Sequence, residues 1–149
     1  MAENDEAGRA SRADDPSAAI VIAARPESGA PENDADLLAL GKRFNDLAAE
    51  LDGDVERLRE EVGDEALTKK VEAILVRMDP IERAIMETPA CTIAGLGVKA
   101  RHAAYVLSQY WEAPVDRIDW DARAVRLLIE AVCDFARTPL PFRNVRADE

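Results

Sequence analysis

The sequence predicts an all-α protein: a long antiparallel helical hairpin and two further helices that form a small bundle, preceded by a disordered N-terminal tail. Two observations support this fold class. After residue 33, apolar residues recur at steps of three and four in four segments, which is the period of an amphipathic helix. No segment there alternates apolar and polar residues as a half-buried strand does. We therefore expect one helical domain over residues 34–136.

Residues 1–33 are predicted to form a disordered acidic tail. They are rich in Ala, Ser, Gly, Pro, Asp and Glu, and Pro16, Pro26 and Pro31 interrupt any regular element. The β-branched cluster at residues 20–22 allows two interpretations: a chance apolar patch, which we favour, or a short strand that docks on a partner.

The first helix is predicted from about Asp36 to Val62, with Asp34 or Asp36 as its N-terminal cap. Gly53 weakens its centre by about 1 kcal/mol relative to Ala and favours a bend there. The helix carries a narrow apolar ladder that cannot bury itself, so it must pack against another helix and is the predicted interaction face. The members of this ladder are Leu37, Leu40, Phe44, Leu47, Leu51, Leu58 and Val62.

A second helix follows after a short turn. Gly63 suits a left-handed helix end and Asp64 suits a cap, so the chain reverses within a few residues. The matching stripe consists of Leu67, Val71, Ile74, Leu75 and Met78. Two such stripes joined by a short turn predict an antiparallel hairpin over residues 36–87, with a restart or kink at Pro80.

The third and fourth helices are predicted over residues 92–111 and 119–136, with Thr92 and Asp119 as caps, and residues 137–149 as a flexible C-terminal tail. Six of the seven aromatic residues follow residue 100, so we expect the main core between these two helices, which the hairpin either caps or projects from. The stripe expected to be buried in the fourth helix is Ala122, Val125, Leu128, Ile129, Val132 and Phe135.

The net charge of −11 is concentrated before residue 90. Residues 1–33 carry seven acids and three bases (−4), residues 34–89 carry fifteen and eight (−7), and the remaining sixty residues carry eight of each. A negative field repels nucleic-acid phosphates and anionic lipids and favours basic protein partners. Direct nucleic-acid binding is therefore disfavoured.

No segment has the features of membrane insertion or export. The longest apolar run, Ala18 to Ala24, has seven residues, whereas a membrane helix needs roughly 18. Asp14 and Asp15 precede this run, where a secretory signal would carry basic residues. We expect a soluble cytoplasmic protein in which Cys91 and Cys133 are buried, reduced thiols.

The segment from Thr92 to His102 is the densest in candidate functional groups. Two glycines near a predicted helix start, followed by Lys99, Arg101 and His102, would present N–H groups and positive charge to an anion. Its Gly-x-Gly-x-x-Ala spacing lacks a preceding strand, so we favour close helix packing over anion binding.

Catalytic and metal signatures are weaker still. His102 is the only histidine, and spacing identifies no third group that would orient it toward Cys91 or Cys133 as a nucleophile. Two cysteines and one histidine without Cys-x-x-Cys spacing are a poor zinc ligand set. We therefore predict no catalytic residue, no cofactor and no metal.

The segment from Thr88 to Arg101 has the pattern Thr-Pro-Ala-x-Thr-x-x-Gly-Leu-x-x-Lys-x-Arg and resembles a segment of small uncharacterised bacterial helical proteins. It covers less than a tenth of the chain. The resemblance implies a bacterial source and a mobile-element or prophage setting, and it transfers no function.

Three functional hypotheses remain. The first, which we favour, is a non-enzymatic protein–protein interaction or assembly module, a homo-oligomer that associates through its hairpin in coiled-coil fashion. The second is an acidic regulator or inhibitor, antitoxin-like or a nucleic-acid mimic, that binds the basic surface of a partner. The third is an enzyme or small-ligand protein that uses Lys99, Arg101 and His102.

Overall fold

The computed structural model describes residues 33–142, and within them it is all-helical, which confirms the predicted fold class. The four α-helices are α1 (Ala35–Glu60), α2 (Glu65–Glu87), α3 (Ile93–Val106) and α4 (Trp120–Ala136). Two short 3₁₀ turns, Ser108–Trp111 and Val115–Arg117, connect α3 to α4. The predicted acidic tail, apart from its last residue, and the segment after residue 142 lie outside the described residues.

The residues predicted to form the hairpin turn have the conformation and hydrogen bonds expected of them. Gly63 has a φ of +96°, a left-handed conformation that side chains other than glycine disfavour. The Asp64 carboxylate accepts hydrogen bonds from the N–H groups of Ala66 and Leu67 at the start of α2. Ion pairs from Lys70 to Asp54 and from Arg77 to Glu50 then join α2 to α1 in antiparallel order.

Pro80 does not interrupt α2, so of the restart or kink predicted at this residue, the restart is wrong. The helix is continuous from Glu65 to Glu87. Proline leaves the carbonyl four residues earlier, that of Val76, without its helical donor. Because Val76 and Pro80 are both exposed, water can serve that carbonyl and the helix continues.

The main core lies between α1 and α2 and is closed by α3. Its fully buried members are Leu37, Phe44, Leu47, Leu51, Ile74, Met78, Ile81 and Ile85. Phe44 meets the rings of His102 and Tyr105 edge-on, with centroids 5.1 and 4.9 Å apart, so the hairpin packs on α3 rather than projecting from it. The predicted core between the third and fourth helices is therefore not the main one.

A second, smaller core joins α3 to α4. Its fully buried members are Ala100, Ala104, Ile129 and Cys133. Small side chains on α3 permit the close approach, as predicted: a Cβ at Gly97 would lie 2.8 Å from that of Ala136. Alanine and glycine contribute little apolar volume, which explains why most aliphatic burial falls on the leucine-rich hairpin instead.

The chain after α4 is also packed. Leu140 and Phe142 contact the second core, and the Phe142 ring lies 5.1 Å from that of Trp111. The Arg101 guanidinium donates to the Pro139 carbonyl. The helical domain therefore extends at least six residues beyond its predicted end at residue 136, because this segment covers the open side of the second core.

Replacing Gly53 by Ala is expected to raise the free energy of unfolding by about 1 kcal/mol. Gly53 is exposed within α1, and a Cβ added there meets no atom within 4 Å. Gly63→Ala is the matched control and should destabilise, because a Cβ is strained at a φ of +96°. Urea unfolding of both variants measures the two changes in the free energy of unfolding. If both variants were stabilised, or both destabilised, the prediction would be contradicted.

Candidate interaction surface

Asp34 links the start of α1 to the start of α3. It occupies the N-cap position of α1, but its side chain makes no capping hydrogen bond there, so the prediction that it caps its own helix is wrong. Instead the buried carboxylate accepts from the N–H groups of Cys91 and Thr92 and from the Thr92 hydroxyl, at 2.6 to 3.1 Å. The Thr92 hydroxyl in turn accepts from Gly95, as a predicted cap should. The N-terminus of α3 is thus held by a carboxylate of the same chain.

Acid is expected to weaken this link. The hydrogen bond from the Thr92 hydroxyl, with further bonds from the Cys91 and Thr92 N–H groups, holds the pKa of Asp34 below its ordinary value of 3.8 despite burial. A carboxyl whose pKa is lowered in the folded protein stabilises the fold at pH values above its ordinary pKa. This contribution is lost as the pH falls through the pKa of the folded state. The stability difference between wild type and Asp34→Asn should therefore be largest near neutral pH and shrink below pH 3.8.

Urea unfolding at a series of pH values measures this difference. Asp36→Asn is the control, because it removes a neighbouring exposed carboxylate that makes no contact with α3. A difference between wild type and Asp34→Asn that stayed constant with pH would contradict the assignment.

The three residues of the predicted anion site each have partners within the chain. Lys99 donates to the carbonyls of Ile85 and Met86 at the end of α2, at 2.8 and 2.9 Å. Arg101 donates to Asn45 at 2.9 Å. His102 is buried, with its Nε2 atom 3.3 Å from a Glu82 carboxylate oxygen. These contacts tie α3 to α1 and α2, and the anion site stays a prediction that the geometry does not favour.

The recesses near these residues are poor ligand sites. The cavity beside Arg101 and His102 measures about 50 Å³, whereas pockets for small molecules are typically about 300 Å³ or more. A larger open groove of about 560 Å³ runs over α1 and α2, and charged residues, including Arg43, Glu50 and Arg77, form half of its lining. Within residues 33–142, no group of three His, Cys, Asp or Glu side chains is placed to hold a metal ion.

The two cysteines differ, contrary to the prediction that both are buried. Cys133 is 1% exposed, and burial raises the pKa of its thiol, which disfavours the thiolate that a nucleophile requires. Cys91 is exposed at the loop before α3. Both are free thiols, as predicted.

The apolar ladder of α1 is not an available interaction face, which corrects its predicted role. Leu37, Phe44, Leu47 and Leu51 are buried in the main core, and Leu40 and Leu58 are half-buried. Val62 is 89% exposed, but it lies beyond the end of α1. The ladder is covered within the chain because α2 packs Ile74, Met78, Ile81 and Ile85 against it, whereas Leu75 of the predicted matching stripe is 49% exposed.

Large apolar side chains are exposed on α2 and α3 as well, but on α4 they form one row. We call the α4 stripe the row formed by Trp120, Ala124, Leu127, Leu128, Ala131 and Phe135, all of which are exposed. The exposed fractions of its four large side chains are 82%, 48%, 65% and 74% in chain order. Val125 is 38% exposed as well, so the prediction that Val125, Leu128 and Phe135 are buried is wrong.

The error has a geometric cause. Ala122, Ile129 and Cys133 form the buried side of α4, and at 3.6 residues per turn they lie opposite the α4 stripe. The predicted stripe combined Ala122 and Ile129 of the buried side with Leu128 and Phe135 of the opposite side. The sequence does contain a signal that distinguishes the two sides. The apolar residues of α4 span a wider arc of the helix than one packed side can bury.

Trp120 is exposed but held in place. The Arg123 guanidinium lies over its ring at 6.0 Å from the centroid. Nε and Nη2 of Arg123 donate to the carbonyls of Val115 and Asp116, each at 2.8 Å. Tryptophan and arginine are both enriched among the residues that contribute most to binding at protein interfaces.

No family model, curated protein or solved structure matches this chain. The likeness of the Thr88–Arg101 segment to small bacterial helical proteins therefore stays a prediction. Among the helices of residues 33–142, none combines the length and the apolar character needed to cross a bilayer.

Proposed function

We propose that this protein is a non-enzymatic protein–protein interaction module whose contact surface is the α4 stripe. The single observation that carries the proposal is the exposure of two aromatic and two leucine side chains in one row of a helix. Taking about 150–250 Å² for each large side chain, the row leaves on the order of 600 Å² uncovered. This is the upper end of what monomeric proteins leave exposed, and such patches mark interaction sites.

The location of the α4 stripe also supports the proposal. The stripe lies on a helix whose other side is anchored in the second core through Ile129 and Cys133. A rigid element loses little conformational entropy when a partner binds. The proposal keeps the predicted role in assembly and moves its surface from the hairpin to α4.

The acidic-regulator alternative has less support. Six acids of the hairpin pair with bases of the same hairpin and are therefore not free for the bases of a partner, but these pairs leave the net charge of −7 over residues 34–89 unchanged. These acids are Asp46, Glu50, Asp54, Glu56, Glu65 and Asp79.

Site-specific photocrosslinking in cells that produce the protein tests the proposal. A photoreactive residue at position 128, in the centre of the α4 stripe, should give discrete crosslinked adducts. The same residue at position 76 is the control, because Val76 is 74% exposed on α2 and lies outside the stripe. Adducts should also disappear when Trp120 and Phe135 are both replaced by Ala. Equal labelling from positions 128 and 76 would overturn the proposal.

A further inference from the structure

We infer that the occupant of the α4 stripe is the α4 stripe of a second copy of this chain, in an antiparallel pair with twofold symmetry. This inference rests on the proposed function and names its partner. Its first support is the order of residues along the stripe. From Trp120 to Phe135 the steps are four, three, one, three and four, and the side chains read large, small, large, large, small, large.

This order is the same in both directions. In an antiparallel helix pair, a step up one helix corresponds to a step down the other, so the residue numbers of every facing pair add up to the same total. With the twofold axis between Leu127 and Leu128, Trp120 faces the partner's Phe135 and Ala124 faces the partner's Ala131. The leucines meet at the centre, and small residues on both copies allow the helices to approach closely. A self-complementary patch of this kind is what a twofold interface requires.

The area agrees with a dimer. Two copies of a patch of on the order of 600 Å² would together bury about 1,200 Å², the lower end of stable interfaces. Large side chains at both ends of the stripe place aromatic rings against each other, and aromatic pairs add to area burial alone.

The charged residues beside the α4 stripe are also complementary in the antiparallel pair. A twofold axis perpendicular to the two helices brings each flank of one stripe against the same flank of the other. Arg123 and Asp134 lie on one flank. The sum of their residue numbers differs by only two from the sum that the facing pairs of the stripe share, so they lie at nearly the same height along the pair. Arg123 of one copy therefore comes close to Asp134 of the other. Asp121 lies on the opposite flank, so it does not face Asp134.

Disulfide crosslinking of the purified full chain tests both the partner and the orientation. In a Cys91→Ser background, which removes the exposed native thiol, Ala124→Cys and Ala131→Cys are prepared separately. On oxidation, a mixture of the two should give a covalent dimer, and either variant alone should give little. Two results would overturn the antiparallel pair. One is efficient crosslinking of Ala124→Cys to itself. The other is crosslinking of Ala124→Cys to the surface control Ala73→Cys that equals its crosslinking to Ala131→Cys.

Light scattering supplies the independent readout. Wild type should have twice the chain mass of 16.3 kDa at high concentration. Trp120→Ala with Phe135→Ala should weaken dimerisation by roughly tenfold or more while leaving the circular dichroism spectrum and Tm of the monomer unchanged, because both side chains are exposed.

The failures of the two proposals are distinguishable. A wild type that stays monomeric at high concentration, while position 128 crosslinks to another protein in cells, refutes the dimer and leaves the interaction module standing. A monomer in which position 128 gives no more adduct than position 76 refutes both. A monomer that dimerises only after deletion of residues 1–32 also refutes the inference, because the chain's own N-terminal segment is then the occupant.

Discussion

Replacing Phe44 by Ala is expected to lower the free energy of unfolding by about 3–5 kcal/mol. Phe44 is 2% exposed at the meeting of α1, α2 and α3, with the rings of His102 and Tyr105 against its edge or face. Truncation removes the apolar transfer energy and the aromatic contacts and leaves a cavity in a packed core. Urea unfolding monitored by circular dichroism measures the loss, as a lower midpoint.

The same experiment separates a core residue from an interface residue. Val62→Ala is the control within the predicted interaction face, and since Val62 is 89% exposed it should change stability by no more than about 0.5 kcal/mol. If the ladder of α1 were an interface between chains, Phe44→Ala would instead dissociate an oligomer and leave the unfolding of the monomer unchanged. That result would contradict the structure.

Replacing Gly95 by Ala is expected to cost about 2–3 kcal/mol, a large effect for one methyl group. A Cβ built at Gly95 overlaps the Asp34 carboxylate, which is fixed by the N–H groups of Cys91 and Thr92. The added methyl group must displace either the carboxylate or the first turn of α3. Loss of the carboxylate leaves the part-buried N–H groups of Cys91 and Thr92 without their acceptor.

A double-mutant cycle identifies the cause. Gly95→Ala should cost less in an Asp34→Ala background, because the clashing carboxylate is then absent. Gly53→Ala is the matched control, because that position is open and the same change should stabilise. Additive effects of Gly95→Ala and Asp34→Ala would show that the clash lies elsewhere.

The sequence predicts most local features of this fold. The helix bounds agree with the structure to within one or two residues, except at the C-terminal end of α3, which stops at Val106 and continues as a 3₁₀ turn. Gly63, Asp64 and Thr92 take the roles expected of them in turns and caps. These features depend on residues within four positions of one another, and that information is present in a single sequence.

Several of the errors concern contacts between distant parts of the chain. Either Asp34 or Asp36 was expected to cap α1, whereas the partners of the Asp34 carboxylate, Cys91 and Thr92, are 57 and 58 residues away. An aspartate at a helix start looks the same in sequence whether its carboxylate turns inward or outward. The interaction surface was likewise assigned to α1, because a sequence does not show that Ile74, Met78, Ile81 and Ile85 of α2 cover it.

By itself, the sequence determined that this chain forms four helices with a tight hairpin between the first two, since hydrophobic periodicity and capping are local properties of the backbone. Only the tertiary structure decided which apolar rows are covered. α4 is apolar on two opposite sides, and one helix partner can bury only one of them. The small residues of α3 accept the side with Ile129 and Cys133, and the α4 stripe from Trp120 to Phe135 remains exposed.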